Sequence, residues 1–183
     1  MTELLTELAE VNVSGAPFLF AYGMTWVICG MLWKKLRASA ASIATLFQGM
    51  LALPVALGIM YMIGAFTDRP DTSEIDGLVI IISMSQLLVL PLLIVMYRKQ
   101  HYTLIPYLYS TVIAIHFLMF TWLYQILLYI IMPVMIVLAV SILYFLNSDT
   151  KSLSAAGASK VCLATGSILL LAALYLSVFH FLL

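Results

Sequence analysis

Charge is scarce in this chain and missing from the interior of its apolar runs. Only 9% of the 183 residues are Asp, Glu, Lys or Arg, while 64% are hydrophobic, and the formal net charge is zero. A soluble domain carries roughly 25% charged residues to cover its exterior, so a soluble fold is excluded. A neutral chain has no electrostatic footprint for nucleic acid, and no nucleic-acid partner is expected. Cysteine is nearly absent as well. Cys29 and Cys162 both fall within apolar stretches, at the side expected to face a reducing cytosol, and are read as small packing residues rather than a disulfide. Neither CxxC nor HxxxH spacing occurs, and a zinc site wants three or four ligands, so no metal and no cofactor are expected. No basic residue precedes Lys34, which argues against a secretory signal peptide. The spans lack any Asp, Glu, Lys or Arg, the usual mark of ion pathways. Without an intramembrane carboxylate there is also no acid–base set, so an enzyme is not expected. The residual catalytic arrangement would be a rim site with His116 or His180 beside Glu74 or Asp76.

What the chain does have is long apolar stretches. A bilayer core of about 30 Å needs roughly 20 apolar residues per helix. Residues 15–36, 40–66, 77–97 and 160–183 each meet that length. The charge-free stretch from Leu104 to Leu146 is about twice the core thickness as one helix. It therefore reads as two spans, 103–121 and 122–146, joined by a tight aromatic turn near Phe120 to Tyr124. The expected fold is all-α: a polytopic transmembrane bundle of six helices forming a single domain over 1–183.

Charge sign fixes its expected direction. Lys34, Lys35, Arg37, Arg98, Lys99, Lys151 and Lys160 occupy alternate gaps between the spans. Glu3, Glu7, Glu10, Asp68, Asp71, Glu74 and Asp76 occupy the others, and only Arg69 and Asp149 cross over. Basic residues near span ends are retained on the cytoplasmic side, so both termini are expected outside. Thr2 to Val11 places Leu4, Leu5 and Leu8 on one helical face, away from Glu3, Glu7 and Glu10. It reads either as a short helix on the outer surface or as a frayed acidic tail.

Between helices in lipid, small residues mark the contact faces. Ala16, Gly23 and Gly30 recur every seven residues on the first span. On the last span Cys162, Thr165, Gly166, Ala173, Ser177 and His180 fall within about 60° on a helical wheel, a stripe expected to face protein. Pro106 lies at a helix start, whereas Pro54, Pro91 and Pro133 should kink or loosen their helices. Gln48, Gln86 and Gln125 precede those three prolines, and a membrane-buried amide is costly without a partner. Gln86, mid-span with Ser83 one turn earlier, is the leading candidate for a polar site. His116 and His180 lie toward the outer ends of their helices, and the scattered methionines read as packing. Pro17-Phe18-Leu19-Phe20-Ala21 and Pro106-Tyr107-Leu108-Tyr109-Ser110 open the first and fourth spans, with Pro54-Val55 and Pro133-Val134 inside the second and fifth. Such an echo, with three helices per half, would be an inverted repeat of the kind found in transporters.

Two further stretches carry a resemblance. Thr45 through Pro54, continuing to Gly64, and His116 through Tyr124 resemble a family of small bacterial integral membrane proteins known only as a domain of unknown function. That family's pattern has Gly-Gly-Met before a proline in the second helix; here Gln48 stands at the first glycine, and no histidine precedes Pro54. The resemblance implies a multi-pass protein of the bacterial cytoplasmic membrane of about this length, and no activity. It directs attention to the outer hairpin, where Phe120, Trp122 and Tyr124 also suit an interfacial aromatic belt.

Two functions fit this inventory. One is a channel or facilitator for a small neutral or weakly polar solute, with Gln86, Gln48, His116, Tyr124 and His180 lining a polar cavity. The other is a non-transporting partner, such as an assembly, sensor or lipid-binding subunit, whose small-residue stripes dock a second copy or another membrane protein.

Overall fold

Apolar length dictates the architecture. In the computed structural model, which describes residues 2–67, 73–147 and 153–182, the chain is helical throughout with no strand among those residues. The helices are α1 (Thr2–Val11), α2 (Ala16–Lys35), α3 (Ala38–Met62), α4 (Ser73–Ser85), α5 (Leu90–Arg98), α6 (Ile105–Tyr124), α7 (Leu128–Asn147) and α8 (Ala155–Leu182). A 3-10 turn over Gln86–Val89 joins α4 to α5, and the pair acts as one rod. Six rods are long and apolar enough to cross a membrane: Val13–Lys35, Ala38–Met62, Gly77–Arg98, Tyr102–Tyr124, Leu128–Leu146 and Ala155–Phe179. Consecutive rods alternate in direction. The basic residues Lys34, Lys35, Arg37, Arg98, Lys99 and Lys160 thereby collect at one end and the acidic helix α1 sits at the other.

The small-residue stripes meet each other. α2 and α8 run antiparallel with their backbones almost touching: a Cβ on Gly166 would lie 2.7 Å from Gly23 O and 2.8 Å from Val27 N. Ser159 Oγ donates to Gly30 O at 2.7 Å, fastening the lower part of the same seam. Cys162, Thr165 and Ala173 are buried beside it, while Thr165 Oγ1 donates to Ser110 Oγ of α6 at 3.0 Å. α3 returns along α2, with Trp33 Nε1 donating to Thr45 Oγ1 at 2.9 Å. α2 is thus the central rod. The α4–α5 rod is the peripheral one: 17% of its apolar window is buried, against 56% for the first span.

Prolines act according to position. Pro17 and Pro106 start α2 and α6, where the missing N–H is not needed. Pro91 has no N–H for Leu87 O and its ring crowds that carbonyl, so the turn before it tightens to 3-10. Pro54 and Pro133 sit inside continuous helices.

Helix ends differ from the sequence reading in three places. α3 stops at Met62 rather than 66, because Gly64 (φ 76°) closes it. Gly64 N–H donates to Tyr61 O at 3.2 Å and Ala65 N–H to Met60 O at 3.0 Å, the two bonds of a Schellman cap. α6 continues through Tyr124, and the reversal falls on Gln125–Leu127 instead of the aromatic run. Gln125 adopts φ 54° and its amide donates to Trp122 O at 2.5 Å. It is an exposed cap and not a buried amide ahead of Pro133. α8 begins at Ala155, earlier than residue 160, with Ser154 Oγ accepting from Gly157 N–H at 3.0 Å.

α1 is an ordered helix, not a frayed tail. Leu5 and Leu8 are buried, and Glu3, Glu7 and Glu10 face outward. Its link to α2 is strained: Val13, Ser14 and Gly15 have φ of 49°, 50° and 82°, a region that costs non-glycine residues about 1–2 kcal/mol each.

The α2–α8 seam yields a contrast between two glycines. Gly166→Leu should destabilise the bundle by about 1–3 kcal/mol, since the opposing atoms are backbone and cannot swing away. Gly58, with nothing within 4 Å of an added Cβ, should accept alanine with no loss. Thermal melts of both variants in detergent check this; equal behaviour would refute the packing assignment.

Candidate functional site

Flanking Gly23 on α2 are Tyr22, Thr25 and Trp26. Together with α3, the α4–α5 rod, α6 and α7 they build a seam of aromatic and polar groups along the bundle interior. It begins at the end of the bundle that carries α1, called the outer end after the expected orientation, where Tyr129 Oη donates to Ser14 O at 2.6 Å and pins the strained link. A Cβ on Gly15 would collide with that hydroxyl at 2.6 Å, so both conformation and space require glycine there. The Tyr129 ring stacks on Tyr124 with centroids 5.3 Å apart, and Tyr124 stacks on Phe120 at 6.0 Å. Phe120 meets the edge of His116 at 5.1 Å, and Phe117 meets Tyr22 at 6.1 Å.

At Tyr22 the seam turns polar. Gln86 Nε2 donates to Tyr22 Oη at 3.3 Å. Thr25 Oγ1 bonds Tyr22 O at 2.9 Å and also contacts Gln48 Oε1. Tyr109 of α6 packs its ring on Trp26 at 5.7 Å and turns its hydroxyl toward Gln48. A Cβ on Gly49 would lie 3.6 Å from both the Tyr22 and the Tyr109 hydroxyls. Three of the six buried side-chain polar atoms without a partner among the described residues gather here: Gln48 Nε2, Gln86 Oε1 and Trp26 Nε1. An unmet buried polar group costs about 1–3 kcal/mol, and hydrocarbon around the bundle offers no relief. The described side chains leave these three atoms without a partner.

One turn away, Ser85 Oγ and His116 Nδ1 are 3.1 Å apart. Ser85 Oγ also donates to Ile82 O at 2.7 Å, and with the hydroxyl hydrogen on that bond an Nδ1–H tautomer of His116 donates to the serine. The pair is a structural bridge between α4 and α6.

Gln48, Gln86, His116 and Tyr124 therefore share one seam, Tyr124 at its outer end and the glutamines near mid-bundle. The side chain of His180 lies outside the described residues, as do those of Glu74 and Asp76. Tyr22, Trp26, Tyr109 and Tyr129 belong to the seam yet were not singled out from sequence. Their signal was available: a tyrosine or tryptophan well inside a span needs a partner for its polar tip.

The geometry defines a multi-pass helical membrane protein with a polar seam inside its bundle. A family model described as a family of unknown function (DUF7010) matches residues 1–173, and the chain belongs to that family. No curated protein and no solved structure matches it.

The outer pin is testable by one atom. Tyr129→Phe removes the bond to Ser14 O and should cost about 1 kcal/mol or more. Limited proteolysis between α1 and α2 should accelerate, and an unchanged cleavage rate would show that the link holds without the tyrosine.

Proposed function

We propose that the protein is a passive facilitator for a small neutral or weakly polar solute, set in a bacterial cytoplasmic membrane with its basic end inside and both termini outside. The observation that supports this most is the cluster of unmet amide and indole atoms around Tyr22 and Tyr109. The unmet atoms are two donors, Gln48 Nε2 and Trp26 Nε1, and one acceptor, Gln86 Oε1. That suits hydroxyl or amide solutes, which both give and accept hydrogen bonds. No charged side chain of the spans enters the cluster, so it offers no counter-charge to an ion.

The competing reading, a docking partner for another membrane protein, drew on the small-residue stripes of α2 and α8. Those stripes face each other inside a single chain, which removes that support. An enzymatic role is not part of this reading.

The α4–α5 rod is the natural gate. It contributes Gln86 from its 3-10 break and is the least buried rod. Displacing it exchanges protein contacts for lipid contacts of similar apolarity.

Proteoliposomes challenged with neutral solutes and salts in stopped-flow light scattering provide the test. The wild type should relax faster than empty liposomes for particular neutral solutes and not for salts. Gln86→Leu and Gln48→Leu, confirmed folded by circular dichroism, should return the rate to that of empty liposomes. Wild-type relaxation no faster than the empty control across the panel would overturn the reading.

A further inference from the structure

At the basic end of the bundle, α5, α6 and α7 diverge and leave an open groove of about 420 Å³, within the size range of ligand pockets. Met96, Tyr107, Val140 and Tyr144 form its apolar walls, and Thr111 and Ser141 add hydroxyls. Tyr107 and Tyr144 hold the two sides of the groove in edge-to-face contact, with ring centroids 6.0 Å apart. Tyr107 is 3% exposed, and its hydroxyl is one of the buried polar atoms without a partner. From Leu104 to Thr111 the wall of α6 rises about 10 Å from the rim at 1.5 Å per residue. The groove therefore runs along the direction of a lipid tail and starts where headgroups lie.

Charge at its mouth identifies the occupant. Arg98 and Lys99 stand two and three residues after Met96, are exposed, and lie between two groove residues in the chain, Met96 and Leu104. Neither carries an ion pair to an acidic residue among those described. Leu93 and Leu104 anchor the segment around them, and Tyr97 packs on Tyr102 at 5.1 Å, so the two cations are presented from a braced turn. Gln100 closes that turn at φ 63°, with His101 N–H donating to Met96 O at 3.0 Å. A helix from a second copy would need a seat along most of the roughly 30 Å core, and this groove covers about a third of that.

We propose that the groove seats one acyl chain of an anionic phospholipid from the leaflet on the basic side, with the headgroup phosphate held at Arg98 and Lys99. The Thr111 and Ser141 hydroxyls stand beside the upper acyl chain, Thr111 about 10 Å in from the rim. This site is separate from the seam around Tyr22 and does not depend on its reading.

Chain-labelled phosphatidylglycerol and phosphatidylcholine spin probes, in phosphatidylcholine vesicles holding the full chain, test it by the motionally restricted fraction in electron paramagnetic resonance. The wild type should restrict the anionic probe roughly fivefold more strongly, the worth of one basic residue beside anionic lipid, and added salt should erode that preference. The exposed double variant Arg98→Gln/Lys99→Gln, which leaves the core untouched, should lower that preference several-fold, and the control Lys34→Gln/Lys35→Gln at the same end should lower it less. Ser141→Phe should fill the groove and lower the number of restricted lipids for both probes. Equal restriction of the two probes by wild type, or a preference that the Arg98/Lys99 variant leaves unchanged or lowers no more than the control does, would overturn the headgroup assignment. An unchanged lipid count in Ser141→Phe would overturn the groove, as would cross-linking that shows a second copy seated there.

Discussion

The close approach of α2 and α8 at Gly23 and Gly166 is the contact on which the rest of the molecule depends. Helices in lipid gain little by hiding apolar surface from one another, so backbone proximity and interhelical hydrogen bonds must supply the cohesion. Glycine at both crossing points lets the chains touch, and Ser159 reaching Gly30 O adds the polar fastener. With that face of α2 committed, helical geometry turns Tyr22, Thr25, Trp26 and Trp33 toward α3, α6 and the α4–α5 rod. The polar seam adjoins the packing seam on α2.

The seam is in turn a consequence of where hydrogen bonds can be found. Trp33 and Thr45, Ser110 and Thr165, Ser85 and His116, and Tyr129 and Ser14 each solve a local problem of burial. The cluster around Tyr22 does not close in the same way. Its amides come from helices that meet α2 from different sides, and each spends only part of its capacity on a neighbour. The same chemistry that rigidifies the other pairs leaves this place unfinished, which is what the proposed facilitator function rests on.

Much of this was legible in the sequence because lipid imposes coarse rules. Span number followed from length and charge, and the stripes on α2 and α8 from the spacing of small residues. Gln48, Gln86 and His116 stood out because polar groups are rare in such helices. Helix ends were read less well, since they are set by backbone closure rather than hydropathy. Nothing in the apolar run before Tyr124 announces that Gln125 takes the left-handed turn, and Gly64 ends α3 while the hydropathy continues. Tyr22, Tyr109 and Tyr129 went unremarked because tyrosine also belongs to interfacial belts. Only the fold tells an inward tyrosine from a belt residue. Trp122 remains exposed at the outer turn as a belt residue would, whereas Tyr124, two positions on, is buried in the seam.

The seam divides its polar groups between the most and the least buried rods, and that division gives it direction. Tyr22, Thr25 and Trp26 sit on α2, which cannot move without parting the Gly23–Gly166 contact. Gln86 and Ser85 sit on the α4–α5 rod at the break that Pro91 imposes, where the helical ladder is already interrupted. Among the described residues the Gln86–Tyr22 and Ser85–His116 bonds tie this rod to α2 and α6, and most of its span is unburied. Under the proposed facilitator function, outward motion of this rod would part those two bonds and expose the glutamine cluster while the α2–α8 contact stays closed. A fixed wall facing a loosely held one is the arrangement that this proposal requires.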